Sequence, residues 1–175
     1  AQLAALPEAS IYDRLAGRTW ISLNGTAWDT AQGEPAIPEG LRSTPDDPYF
    51  LVQFYAPVRE EWKAGLEAMG VTFLGYHPNY TYVVRMDPAL ADQVRAAHAV
   101  QWVGRYHPAY RLASEEELAQ AVIAGDGRLT LVVRGFPDTG AAGLQAELER
   151  SGASTWRASG SGLPLIRVWA ARDLL

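Results

Sequence analysis

Three histidines, His77, His98 and His107, are the side chains of this sequence best suited to proton transfer or metal ligation. Two of them lie in a repeated segment, since Tyr76-His77-Pro78-Asn79-Tyr80 and Tyr106-His107-Pro108-Ala109-Tyr110 share the pattern Tyr-His-Pro-x-Tyr. A metal centre needs further donors at ligand spacing, and no carboxylate stands at such a spacing from these histidines. Ser159-Gly160-Ser161-Gly162 superficially matches the Gly-x-Ser-x-Gly nucleophile elbow, but its composition is that of a hairpin turn. Walker A, dinucleotide-loop and HExxH signatures are absent. No catalytic residue, metal ligand or cofactor site is therefore assigned, and the chain is expected not to be an enzyme. The paired Tyr-His-Pro-x-Tyr segments keep two readings. They cover the ends of a sheet, or they are presented to a protein partner, because tyrosine supplies large contact area at low entropic cost. His98 is expected to close the exposed end of a helix, where a partly cationic imidazole suits the dipole. Asn79-Tyr80-Thr81 and Asn24-Gly25-Thr26 fit the glycosylation sequon, yet hairpin chemistry accounts for both.

Composition narrows the function classes further. The chain has 175 residues, 48% of them hydrophobic, and no cysteine, so its fold must rest on packing rather than on disulfides or thiolate-bound metal. A net charge of −5 argues against nucleic-acid and anionic-membrane partners, which need lysine and arginine gathered on one face. No apolar run approaches the roughly 20 residues of a membrane span. The start at Ala1-Gln2-Leu3, without an initiator Met, fits the mature end left by signal-peptide removal, so export is expected.

The elements that must position these residues come in a regular order after an irregular start. Residues 1–48, with Pro7, Pro35, Pro38, Pro45 and Pro48 and no sustained period, are expected to form an extended arm. Within it Asn24-Gly25 joins Trp20–Leu23 to Thr26–Asp29 as a hairpin. Tyr49–Phe54 has the aromatic and β-branched composition of a strand. Trp62, Leu66 and Met69 fall at helical spacing and Gly70 supplies a left-handed stop. Val71–Tyr76 and Tyr80–Met86 form a second hairpin about Pro78-Asn79. Asp87-Pro88 opens a second helix through Leu90, Val94 and Ala97, and Val100–Tyr106 is a fourth strand. The spacing thus predicts an α+β fold: a ferredoxin-like βαββαβ unit over 49–112. A capping box, Ser114 to Glu117, opens a helical connector over 113–128. Residues 129–175 then repeat strand, helix, strand, strand as a second, incomplete copy. Ala64-Gly65-Leu66-Glu67-Ala68 is echoed there by Ala142-Gly143-Leu144-Gln145-Ala146.

Two helices cover one face of a four-stranded sheet and leave the other. Alternation sends Phe50, Val52, Phe54, Tyr82, Val84 and Met86 toward the helices, and Tyr49, Leu51, Gln53, Thr81, Val83 and Arg85 to the far side with Leu74 and Trp102. That apolar far face meets a protein partner, unless the arm or the second unit covers it.

With these elements in place, residues 49–112 resemble the inhibitor-type propeptides of subtilisin-like serine proteases. That family's third strand reads Asn-Gly-Phe-Ser-Ala-x-Leu, and Tyr82, Val84 and Met86 occupy its Phe, Ala and Leu positions. Its last strand reads Pro-x-Val-x-x-Val-Glu, matched by Val100 and Val103, with His98 in place of the Pro and Gly104 in place of the Glu. The arm and first unit together are similar to N-terminal regions of large secreted bacterial subtilases. The resemblance implies an intramolecular chaperone and inhibitor whose partner is a subtilisin-like catalytic domain, on which the open sheet face docks through Leu51, Leu74, Val83 and Trp102. It also implies that the segment Arg105–Leu112, with Tyr106, His107, Pro108 and Tyr110, lies in the substrate cleft as a cleaved product would, although the second unit can equally carry the inhibition. Other classes remain: a structural or interaction module of a secreted protein, and a small-molecule-binding regulatory module.

Overall fold

Asn24 and Gly25, at φ 44° and 83°, take the two left-handed positions of a tight turn and join β1 (Trp20–Leu23) to β2 (Thr26–Asp29) in antiparallel register. The computed structural model describes residues 18–112, 128–159 and 164–170, with 157–159 and 170 described by backbone alone. The connector helix expected to open at Ser114 lies outside these residues. The chain divides into two units, 1–112 and 113–175.

In the first unit the arm continues from β2 through two short 3-10 turns, Thr30–Gln32 and Glu39–Leu41, to Pro48. There follow β3 (Tyr49–Phe54), α1 (Glu60–Ala68), β4 (Thr72–His77), β5 (Thr81–Arg85), α2 (Ala91–Arg95) and β6 (Val100–Arg105). The four later strands form one antiparallel sheet in the order β4-β5-β3-β6. Gly70, at φ 100°, ends α1 as its position predicts. The second helix is shorter than its apolar spacing suggests. Asp87 Oδ1 accepts from Ala89 N at 2.9 Å, but this cap starts a 3-10 turn, Pro88–Leu90, before five residues of α-helix. His98 consequently falls in the turn beyond α2, exposed, rather than on its last turn.

The helix side of the sheet follows the alternation of the strands. Phe50, Val52, Phe54, Val84 and Met86 pack with Leu66, Val71, Val94, Val100 and Val103, and the Tyr82 ring meets Phe54 edge-on at 6.0 Å. Each such side chain contributes about 1.5–3 kcal/mol by leaving water.

The far side is not open. Leu51, Gln53 and Thr81 are fully buried, Val83 and Leu74 nearly so, and Ile21, Leu23, Trp28 and Ile37 of the arm are buried as well. The arm is the cover, and a polar network fixes it. Gln53 Oε1 accepts from Thr30 Oγ1 at 2.7 Å and from Gln101 Nε2 at 3.3 Å. Gln53 Nε2 donates to Arg18 O at 3.0 Å and Asn79 O at 3.3 Å. Asn79 Nδ2 in turn donates to Trp20 O at 2.7 Å, from a turn in which Asn79 and Tyr80 both have positive φ.

The second unit contains β7 (Leu129–Arg134), α3 (Ala141–Arg150), β8 (Ser154–Ser159) and β9 (Leu165–Ala170), with an antiparallel sheet in the order β7-β9-β8. Gly152, at φ 89°, follows the end of α3. Leu129, Ile166 and Val168 are buried, and Gln145 of α3 donates to Thr155 Oγ1 at 3.0 Å, which places the helix on that face.

Replacing the buried amide tests the clasp between arm and sheet. Gln53→Leu removes the donor to Arg18 O and Asn79 O and the acceptor shared by the Thr30 hydroxyl and Gln101 Nε2, and is expected to cost about 2 kcal/mol. Urea unfolding should show the loss, and amide exchange should speed up across residues 20–30. An unchanged midpoint with unchanged exchange would contradict this account.

Candidate functional site

The residues expected to bind a partner do converge, on the far face of the first sheet. Leu51, Leu74 and Val83 lie there with the half-buried Trp102, but the chain's own arm occupies the surface. Trp28 is the centre of the cover. Its ring meets Trp102 edge-on at 6.2 Å and stacks on Tyr110 at 4.8 Å with 14° between planes.

The segment after β6 also differs from the extended tail that the resemblance implies. Pro108–Tyr110 is a 3-10 turn, and it carries Tyr110, fully buried, beneath Trp28. Tyr106 and His107 are buried and Pro108 is half-buried. Asn24 Nδ2 donates to Tyr110 O, so the hairpin turn of the arm holds this segment down. The physical reason is the aromatic stack: an extended path would expose Tyr110 and leave Trp28 without its ring partner.

His107 has the residue types of a catalytic dyad around it but the wiring of a clasp. Ser43 N donates to His107 Nδ1 at 2.9 Å, so Nε2 carries the proton and donates to Glu34 Oε2 at 3.3 Å. With Nδ1 taken by a backbone amide and the ring 8% exposed, the imidazole ties two points of the arm to the chain beyond β6. Glu34 Oε1 accepts from Arg105 N at 3.3 Å. The Arg105 guanidinium donates to Asp47 O at 2.6 Å and Pro45 O at 2.8 Å, which anchors the end of the arm. Burial pushes the Tyr110 phenol far above its ordinary range, and the Glu34 carboxylate adds to the shift. Tyr106 is raised by burial, against the opposing charge of Arg111. Both phenols are thereby kept in the neutral form.

Gly104 is required by close packing. A Cβ there would stand 2.2 Å from Glu34 Oε1 and 2.2 Å from the Trp102 ring, so no larger residue fits while the arm is seated.

The first Tyr-His-Pro-x-Tyr segment has a different fate, forming the β4–β5 turn with Tyr76 exposed. Burial lowers the His77 pKa below its ordinary value. Among the described residues, no group of histidines and carboxylates is placed to hold a metal ion. An apolar cleft of about 210 Å3 opens on the helix side between α1 and the approach to β6, lined by Trp62, Leu66, Met69 and Val100 with Glu61 and His98 among its polar groups.

The sheet of the second unit has a face with exposed side chains among the described residues. Pairing in register puts Thr130 beside Trp169, Val132 beside Arg167 and Arg134 beside Leu165, on the side away from α3. Val132 is 60% exposed and Trp156 40% exposed, and the Trp156 and Trp169 rings stack at 4.1 Å. The Arg128 guanidinium lies over Trp169 at 5.2 Å. Sequence reasoning missed Trp156 and Trp169 as a pair because a bulge between Thr155 and Arg157 interrupts simple alternation. It also missed Glu34 and Trp28, which belong to an aperiodic segment. An aromatic residue in a hairpin strand opposite an apolar sheet face was the available signal for Trp28.

Comparison with known proteins gives one match. The family described as a domain of unknown function, DUF8729, matches residues 2–107. No curated protein and no solved structure matches the chain. Among the described residues, no helix is long and apolar enough to cross a membrane.

Two outcomes follow for this region. Gly104→Ala should cost about 2 kcal/mol by overpacking, read as a lower urea midpoint, and should speed exchange of the Arg105 amide as Glu34 is displaced. A protein of unchanged stability would show that the arm yields freely. For His77, burial favours the neutral ring, so the folded pKa lies below the unfolded value of about 6.5. As pH falls through that window the unfolded chain takes up a proton that the folded chain refuses, and stability drops. His77→Gln should therefore narrow the gap in urea midpoint between neutral pH and about pH 5. An equal gap in both proteins would exclude this contribution.

Proposed function

Because the chain belongs to the DUF8729 family, whose description assigns no activity, we propose from its sheet faces that it is a protein-binding, propeptide-type region that docks on a subtilisin-like catalytic domain, assisting its folding and then inhibiting it. The sheet order β4-β5-β3-β6 supports a ferredoxin-like reading of residues 49–106, the arrangement that subtilase propeptides use. The order β8-β9-β7 in the second unit supports an incomplete copy of the same arrangement. Such a partner lies outside the cell, in keeping with the export expected from the sequence.

One observation carries the choice of surface. Docking by a sheet needs an uncovered face with aromatic anchors, and the stacked Trp156–Trp169 pair beside exposed Val132 provides it, whereas the far face of the first sheet is taken by the arm. The docking role implied for Leu51, Leu74, Val83 and Trp102 therefore passes to the second unit. In that role the first unit is a prefolded support and its arm an internal substitute for the partner.

Titration of the intact chain into a panel of subtilisin-like proteases, following hydrolysis of a peptide substrate, tests the reading. Dose-dependent inhibition is expected, weakened about thirtyfold by Trp156→Ala, as for an aromatic hot spot, and unaffected by Tyr76→Ala. Absence of inhibition by the folded chain would overturn the function. Inhibition that Gln53→Leu strengthens and Trp156→Ala leaves alone would instead return the docking face to the first sheet with its arm released.

A further inference from the structure

The four outer strands of the two sheets are not equally protected. β4 carries an irregularity between Phe73 and Gly75, and β8 one between Thr155 and Arg157. The outward amide of Arg105 on β6 is capped by Glu34. β7 alone among the described edges runs six residues, Leu-Thr-Leu-Val-Val-Arg, in unbroken register with its neighbour and with no charge before its last position. An edge of this kind is a template for another strand unless it is blunted.

The direction of its hydrogen-bonding groups can be derived. Gly135 N donates to Pro164 O at 2.8 Å, so by the period of two Val133 and Leu131 point their amides at β9. Thr130, Val132 and Arg134 then turn their N–H and C=O groups outward. The first unit shows what such a position holds: β3, which like β7 precedes the first helix of its unit, has β6 paired antiparallel along that edge.

Charge selects the occupant. The chain has 20 acidic residues and a net charge of −5, yet the strands of this sheet contain no Asp or Glu and include Arg134, Arg157 and Arg167. Arg134 and Arg167 are exposed. A second copy paired through β7 would join two arginine-bearing sheets without a compensating carboxylate. The geometry points to β7 as a strand-accepting edge for an extended acidic segment of another protein, one that alternates apolar residues beside Leu129, Leu131 and Val133 with carboxylates beside Thr130, Val132 and Arg134. This inference does not depend on the protease reading.

The probe is a synthetic octapeptide alternating Val and Glu, with its Val/Lys counterpart and a version N-methylated along one edge. Calorimetric titration of the full chain should show binding of the Val/Glu peptide alone, with amide-exchange protection of Thr130, Val132 and Arg134. Arg134→Glu, at an exposed position, should weaken that binding about threefold. Val132→Pro removes an outward donor and should abolish it, with the spectrum of the folded protein retained. No binding of any peptide, equal binding of the Lys and Glu peptides, or equal binding of the N-methylated peptide would each overturn the proposal. So would sedimentation as a dimer with β7 already protected, which would give the edge to a second copy.

Discussion

A glutamine side chain at the centre of the first sheet constrains everything around it. Gln53 stands on the middle strand with its amide fully buried, and such a group is tolerated only where each donor and acceptor is met. Its partners come from Arg18, Thr30, Asn79 and Gln101, so one side chain binds the arm, the β4–β5 turn and β6 at once. Apolar contacts alone would let the arm slide. The amide fixes its register, and Trp28 then falls between Trp102 and Tyr110. Seating of Tyr110 in turn rolls the chain after β6 into a 3-10 turn and brings His107 to Ser43 and Glu34.

The same constraint bears on whether this face exchanges partners. Any protein replacing the arm would have to cover the apolar surface of Leu51 and Val83 and also satisfy the Gln53 amide, or leave it unpaired at a cost of about 1–3 kcal/mol. Gly104 adds a second condition, because its missing side chain is matched to the Glu34 carboxylate and the Trp102 ring. The far face is complementary to its own arm in shape and in hydrogen bonding. That argues for a permanent internal interface, and for intermolecular work being done elsewhere.

What the sequence discloses follows from where periodicity exists. The helix side of the first sheet was legible because Phe50, Val52 and Phe54 alternate and meet α1 and α2, and the turns at Asn24-Gly25 and Gly70 were legible because left-handed positions select those residues. The cover was not, because Thr30, Glu34 and Ser43 lie in a segment with no repeat to fix which side chains turn inward. Gln53 looks, in sequence, like any polar residue on a solvated face; only a partner 35 residues upstream distinguishes it. The two Tyr-His-Pro-x-Tyr segments make the same point. Their local chemistry is alike, yet Tyr76 is exposed and Tyr106 buried, because the arm lays Trp28, Glu34 and Ser43 against the second segment and meets the first at Asn79. Helix α2 was overextended from its spacing, since Asp87-Pro88 favours a tight 3-10 turn that carries Leu90, and Ala97 packs against the core beyond the end of the α-helix.

The two units then differ in what they leave to solvent. Both follow strand, helix, strand, strand, and both bury a helix-facing layer. In the first, the remaining face is covered by the arm through Gln53, and the outward amide of Arg105 on β6 is met by Glu34. In the second, an aromatic pair stays on the face away from α3, and β7 turns outward amides along an edge that, among the described residues, has neither bulge nor cap. Under the proposed reading, the covered sheet of the first unit serves stability and the exposed face of the second serves recognition. The proposed edge pairing draws on the absence of carboxylates from the strands of the second sheet, because an exposed basic face on an acidic chain discriminates by charge before any contact is made.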